Sequence, residues 1–277
     1  MRLGVVLTGT GIYGAAGAGV LLELWRRKLE PYAVCGMGSG AWPAALYASG
    51  CDTLQLELAA KQAQHIGKRM LRRTRGGSEG RKAAIYTAVG MQRLLQIQTG
   101  GRLLALCPRR ALFPLRSLRS GSVVFASGGC APFEGVAAVT QASAAFAARA
   151  AMGRPPFLEP VSWMGSSLLP VQHLDHAVQL LKATGAQRVL IAQTRISAQI
   201  KQDPLWLTAA CAQPEEEGAI PGAARLVVQM PPHIGTMSFG DIAACMELGR
   251  CAAEQELDRL LETMGMAYCR VLPFKRS

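Results

Sequence analysis

The stretch Val34-Cys35-Gly36-Met37-Gly38-Ser39-Gly40-Ala41, continued by Ala44-Ala45-Leu46-Tyr47-Ala48-Ser49-Gly50, decides the fold. Tyr32–Cys35 is a short apolar run of strand character. Three glycines at alternate places then make a sharp turn, and Ala41–Ala48 follows with helical composition before Gly50 stops it. Strand, tight turn and helix form the backbone setting of a nucleophile elbow, in which an attacking serine stands midway between two flanking glycines. In Gly36-x-Gly38-x-Gly40 that middle place is itself glycine. The turn is kept and the attacking oxygen is absent.

Upstream, Leu3–Leu7 reads as a buried strand, because its apolar run breaks at Thr8-Gly9-Thr10-Gly11 without the cleavage site of a leader peptide. Gly9-Thr10-Gly11-Ile12-Tyr13-Gly14 is a glycine loop, and Ala15–Lys28 has helical spacing, with Val20, Leu21, Leu24 and Trp25 on one side. Downstream, Asp52 caps a third helix expected to end near His65. Residues 67–82 read as a basic loop and Ala84–Gln98 as a helix. Ala111–Leu115 and Val123–Ala126 read as strands about a turn at Ser120-Gly121, and Val139–Met152 as a helix of small residues. A helix over Leu174–Ala183, closed by Gly185, leads to a strand at Arg188–Ala192. Arg225–Gln229 is the last strand, and Ser238 with Asp241 forms a capping box for a helix running to about Met264. Alternating strands and helices predict an α/β fold of three layers, α/β/α, about a mostly parallel sheet. With neither repeat nor linker, residues 1–277 are expected to form one domain.

The chain has 277 residues, half of them hydrophobic, and only 17% are charged. A typical protein has about a quarter, so a large buried core is expected. No run of about 18 apolar residues predicts a membrane span. Eight cysteines are scattered without a C-x-x-C pair, which points to a reducing, cytoplasmic setting and against a zinc site. His173 and His176 have a single acid, Asp175, between them and are not read as a metal site. The net charge of +12 is concentrated at Lys68, Arg69, Arg72, Arg73, Arg75, Arg81 and Lys82. That density suits either a solvated loop or an anionic membrane surface. Nucleic acid is not expected, since no aromatic residues interleave with the charges.

Gly9-x-Gly11-x-x-Gly14 alone matches a dinucleotide fingerprint, but the acid that would hold a ribose at the end of the second strand is missing. The same loop can aim backbone N–H groups at an anion or oxyanion. Taken together, the two glycine turns resemble the patatin-like phospholipase family, whose motifs are G-G-G-x-[RK]-G and G-x-S-x-G. Gly19-Val20-Leu21-Leu22, Ala44–Gly50, Ala138–Ser143, Pro155–Val161, Gly185–Ile191, Met237-Ser238-Phe239 and Glu247-Leu248-Gly249-Arg250 extend the likeness over nearly the whole chain, with residues 55–110 matching loosely.

The resemblance implies a patatin-like fold and the family's lipid acyl hydrolysis by a Ser–Asp dyad, with the loop Gly9, Thr10, Gly11, Ile12 holding the oxyanion. It also implies that this chain departs from the chemistry. The nucleophile place is Gly38, between the elbow glycines Gly36 and Gly40. Counting from Pro160-Val161 and Leu169-Pro170-Val171 puts the aspartate place at Ser162, within a few residues, and no Asp or Glu occurs between Glu159 and Asp175. The loop's usual basic residue is Tyr13. The expectation is therefore an inactive homologue, needing no cofactor or metal, that binds a lipid, an acyl group or a protein. Lys68, Arg69, Arg72, Arg73 and Arg75 are offered to an anionic membrane. Two alternatives stand beside it: an active acyl hydrolase using Ser39, and a Rossmann-type dinucleotide binder.

Overall fold

The computed structural model describes residues 2–73, 86–128, 130, 136–154, 157–196 and 218–266; the side chains of Lys68, Arg72, Arg73 and Ala137 are not described. Strand β1 (Leu3–Leu7) and β2 (Ala33–Gly36) lie parallel at the centre of the main sheet, with Leu7 opposite Gly36. β10 (Arg188–Ile196) flanks β1 on the other side, and β11 (Ala223–Met230) extends the sheet, again parallel. β5 (Ala111–Ser117) runs parallel to β2. Beyond it the sheet turns mixed: β6 (Gly121–Ala126) is antiparallel to β5, and β7 (Ala137–Val139) is parallel to β6. The order is β11-β10-β1-β2-β5-β6-β7, so the expected mostly parallel sheet is found.

Alternation along the central strands sends side chains to two cores. Val5, Leu7 and Val34 join the larger one, under helices α1 (Ala15–Arg26), α2 (Ala41–Ala48), α5 (Ala144–Met152) and the long C-terminal helix, Ile242–Thr263. Val6, Ala33 and Cys35 face the smaller one, covered by α6 (Leu174–Ala183). The result is the three-layer α/β/α architecture. Helix α1 and the C-terminal helix cross with backbones almost touching: a Cβ on Gly19 would fall 1.9 Å from the Met246 carbonyl oxygen, and one on Gly249 2.0 Å from that of Ala16. Glu23, fully buried in α1, is held there by Arg26 and Arg27 at 2.6 Å each.

Several expected boundaries move. Helix α3 (Thr53–Met70) carries the predicted Asp52 cap as a full box with Gln55, but it runs past His65 because amphipathic spacing continues into the basic segment. A short strand pair, β3 (Arg72–Arg73) and β4 (Tyr86–Thr87), precedes α4 (Val89–Gln98), so that helix starts later than Ala84. Residues 74–85 between them lie outside the described residues. The helix expected over Val139–Met152 is divided: β7 takes its first residue, and Ser143 caps α5 by accepting the Phe146 N–H at 3.1 Å. Ser238 does not cap the last helix. Its hydroxyl oxygen accepts the Gly235 N–H at 3.2 Å, and a 3-10 turn, Phe239–Asp241, intervenes. An unexpected hairpin, β8 (Val161–Trp163) with β9 (Ser166–Pro170), pairs through β9 onto the end of β5. Its turn residues Met164 and Gly165 both have positive φ, +50° and +74°, as a tight hairpin turn matched to strand twist requires. Among the described residues no helix is long and apolar enough to cross a membrane.

Candidate ligand-binding cleft at the glycine turns

Because β1 and β2 end level, the loops that follow them leave the carboxyl edge of the sheet side by side, where open α/β sheets place ligands. The second loop turns sharply. Met37 is extended, Gly38 has φ +55°, and a 3-10 turn over Gly38–Gly40 leads into α2. The flanking glycines permit this by contact: a Cβ on Gly36 would lie 2.6 Å from the Ala41 Cα, and one on Gly40 2.2 Å from the Leu7 carbonyl oxygen.

Gly38 is crowded as well, by the other loop. A Cβ there would lie 2.3 Å from the carbonyl oxygen of Gly9. That oxygen accepts the Ser39 N–H at 3.0 Å, so it is fixed against the apex of the turn. Besides lacking a side chain, position 38 has no room for one. The space a nucleophile would fill is taken by a backbone oxygen from the loop expected to present N–H groups.

Three N–H groups at the far end of that loop are committed within the protein. Ile12 donates to the Thr236 carbonyl at 2.9 Å and Tyr13 to that of Thr10 at 3.1 Å. Gly14 donates to the Ser39 hydroxyl oxygen at 3.0 Å. Tyr13, where the resemblance places a basic residue, is buried, and its phenol donates to the Ile234 carbonyl at 2.6 Å. It ties the loop to the segment before the last helix.

Gly9, Thr10, Gly11, Gly38 and Ser39 line a cleft of about 110 Å³. Its walls are chiefly apolar, with Met37, Met91, Met152, Met237, Leu158 and Phe239. A second cavity of about 70 Å³ shares Gly11, Ser39, Met91, Met152 and Phe239 with it and continues between α3 and α4. No Asp, Glu or His among the described residues lines either space.

The candidate residues are thus brought together in part. The loop residues, Gly38 and Ser39 meet at the cleft. Ser162 does not: it lies exposed on β8, opposite Ser167. The part of the hairpin that reaches the cleft is Pro170, followed by Val171 and Gln172. Asp175 sits in the first turn of α6, where its carboxylate accepts the His176 N–H at 2.8 Å. Asp241 belongs to the 3-10 turn before the last helix, and Asp203 lies outside the described residues. Cys35, next to the elbow, points into the smaller core, where burial pushes its thiol far above the ordinary range. The residues that sequence reasoning missed are the methionines and Arg154. Their scatter along the chain gives no local signal.

No protein-family profile matches the chain, and no curated protein sequence matches it. Solved structures do. The fold is similar to that of VipD from Legionella pneumophila, with a TM-score of 0.52 and 11% identity over 94% of this chain and 67% of that one. ExoU of Pseudomonas aeruginosa, in its complex with SpcU from the type III secretion system, matches with a TM-score of 0.42 and 13% identity, over 94% of this chain and 52% of that one. The chain therefore spans about two thirds of the first and about half of the second. The fold is the patatin-like one.

Proposed function

We propose that this chain is a patatin-like phospholipase homologue that has lost ester cleavage and binds an acyl chain in the cleft beside Gly38. The observation that carries the reading is the Gly9 carbonyl oxygen packed onto the apex of the turn, 2.3 Å from where a Cβ would be. Acyl transfer needs a nucleophile, a base and oxyanion donors. The apex has no hydroxyl, the cleft has no carboxylate or imidazole among the described residues, and of the loop expected to hold an oxyanion the Ile12 N–H is already given to Thr236. An apolar cleft remains, and apolar concavities with a few polar groups are the usual form of a ligand site.

Ser39 lines both cavities, which keeps the active-hydrolase alternative testable. Purified protein should neither hydrolyse nitrophenyl decanoate above background nor react with a fluorophosphonate probe. It should still bind decanol, read by calorimetry. Labelling of Ser39, with turnover lost in Ser39→Ala, would overturn the inactive reading. The dinucleotide alternative has less support, because the Ile12 and Gly14 N–H groups of its fingerprint loop are turned to Thr236 and Ser39.

The same reading extends to a membrane surface. Leu54, Leu58, Lys61, His65 and Arg69 follow helical spacing along α3 and all are exposed, so one face joins apolar and basic groups. Of the other basic residues offered to the membrane, the side chains of Lys68, Arg72 and Arg73 are not described and Arg75 is outside the described residues. The protein should sediment with vesicles containing phosphatidylserine and not with neutral ones, and Arg69→Glu should weaken this. Binding unchanged in high salt would contradict the electrostatic part.

A further inference from the structure

The central sheet does not end level on all its strands. Leu112 of β5 stands opposite Cys35, one residue before β2 ends, yet β5 runs on to Ser117. Four residues of strand, roughly 13 Å, therefore project past the carboxyl end of β2, with β6 and β9 paired on either side. Two turns meet at the tip, one joining β5 to β6 and one joining β8 to β9. They are tied together by a buried pair of serines. The Ser117 and Ser166 hydroxyls lie 2.8 Å apart, the Ser166 oxygen accepts the Arg119 N–H at 3.1 Å, and the Ser117 oxygen accepts the Ser120 N–H at 3.1 Å. The Leu118 N–H donates across to the Ser167 carbonyl at 3.1 Å. At the base of the hairpin, Trp163 packs on Phe125 and Phe146. The two tips thus form one preorganised prong, and Pro170 of the same β9 lines the cleft at its root.

The prong ends in apolar side chains. Met164 is 85% exposed, more than any other large hydrophobic residue described, and Leu118 on the neighbouring turn is 67% exposed. Met164 also holds φ +50°, a conformation that Gly, Asn or Asp would take at less cost. An apolar residue there is unfavourable to the turn and unfavourable to water, and no packing in the fold offsets either. Around the two tips the charge is of one sign. Arg116 and Arg119 are exposed, and a Cβ on Gly165 would lie 3.8 Å from a guanidinium nitrogen of Arg119, which places that cation over the second turn. Neither 111–128 nor 160–172 contains an Asp or Glu, and no ion pair among the described residues includes Arg116 or Arg119. Apolar tips with cations beside them match the boundary of an anionic bilayer, where hydrocarbon begins just beneath negative headgroups. The peptide groups of a turn need water, so the tips suit that boundary and not the hydrocarbon core.

We infer that the prong is a membrane anchor: Leu118 and Met164 enter the headgroup boundary of an anionic bilayer while Arg116 and Arg119 hold its phosphates and carboxylates. The inference is independent of what the cleft holds. It adds to the α3 contact proposed above a second one, on different residues and separately testable, and it sets the cleft edge of the sheet toward the lipid.

Sedimentation of the whole protein with vesicles of phosphatidylcholine alone, or of equal parts phosphatidylcholine and phosphatidylserine, tests this. Arg116→Gln with Arg119→Gln should weaken binding to the mixed vesicles about 25-fold, about fivefold for each charge. Leu118→Ser with Met164→Ser should weaken it about tenfold or more. All four side chains are exposed, so both variants should keep the wild-type Tm. Leu118→Trp gives a readout that does not depend on a loss: its fluorescence should be quenched beyond the wild-type level when the phosphatidylcholine of the mixed vesicles carries bromine on its acyl chains. Mixed vesicles binding the Leu118→Ser, Met164→Ser protein as tightly as wild type, or Leu118→Trp showing no added quenching, overturns the anchor, and if Arg69→Glu still weakens binding the α3 contact stands without it. Equal binding to both kinds of vesicle overturns the role of the arginines. Failure of the wild-type protein to bind either removes both membrane contacts and leaves the acyl-binding reading in place.

Discussion

Replacing Gly38 by alanine adds one methyl group to the apex of the turn, and two separable penalties follow. The backbone at φ +55° is left-handed, which costs a residue with a Cβ about 1–2 kcal/mol. The methyl would also lie 2.3 Å from the Gly9 carbonyl oxygen. Relieving that contact means moving a loop that is pinned through Ile12 to Thr236 and through Tyr13 to Ile234. Overpacking of this kind costs roughly 1–3 kcal/mol. The expected loss is their sum, roughly 2–5 kcal/mol. For a domain of this size each kcal/mol lowers Tm by roughly 2 °C, so a fall of roughly 4–10 °C is expected. Gly100→Ala supplies the control. Its φ is +61°, almost the same, but nothing lies within 4 Å of its Cβ position. It should show the conformational strain alone, about 1–2 kcal/mol. Urea denaturation of the two variants measures the difference, expected at about 1–3 kcal/mol. Equal losses would mean that the Gly9 oxygen is not held where the hydrogen bond to Ser39 places it, and the argument for a blocked apex would fail. Gly38→Ser carries the same penalties and should gain no esterase activity.

Tyr13→Phe removes the hydrogen bond to the Ile234 carbonyl and should cost about 1–3 kcal/mol in urea; no change would show that the phenol does not anchor the loop. Burial alone would raise the Glu23 carboxyl, but hydrogen bonds and charge from Arg26 and Arg27 outweigh it and hold the carboxyl below its ordinary 4.5. Its stabilisation should be complete above pH 4.5 and lost as the pH falls through the lower folded value. Glu23→Gln should therefore cost about 3 kcal/mol at pH 7, with the gap to wild type closing at low pH; a gap independent of pH would refute the ion pair. Burial first, and Asp241 second, push the Cys245 thiol up to about 12, and burial pushes Cys35 up further. Native protein at pH 8 should leave both unmodified by iodoacetamide in peptide mass maps, and fast labelling of either would contradict their placement.

The glycine turns were legible because each constraint is local. Gly36 and Gly40 are required by contacts within a few residues of the turn or on the adjoining strand, and the strand, turn and helix can be read in order. The parallel core was legible for a similar reason: β1, β2 and the Val189–Ala192 part of β10 are continuous apolar runs. The hairpin β8–β9 was not, since Met164 stands where a hairpin signal would show Asn, Asp or Gly. That omission matters for the site. Without the hairpin, counting along the chain reaches Ser162, whereas the strand pairing carries Pro170 and the residues after it to the cleft. The Gly9 carbonyl could not be read at all, because the direction of a peptide group in a glycine loop is set by tertiary partners: Ser39 here, and Thr236 for its neighbour Ile12.

The oxygen on the apex also couples the two turns. Placing any side chain at 38 is not a single step, because the peptide at Gly9 must rotate before a Cβ there is tolerated. Neither loop can therefore change shape alone, and position 38 is bound to glycine by its neighbour as much as by its own backbone.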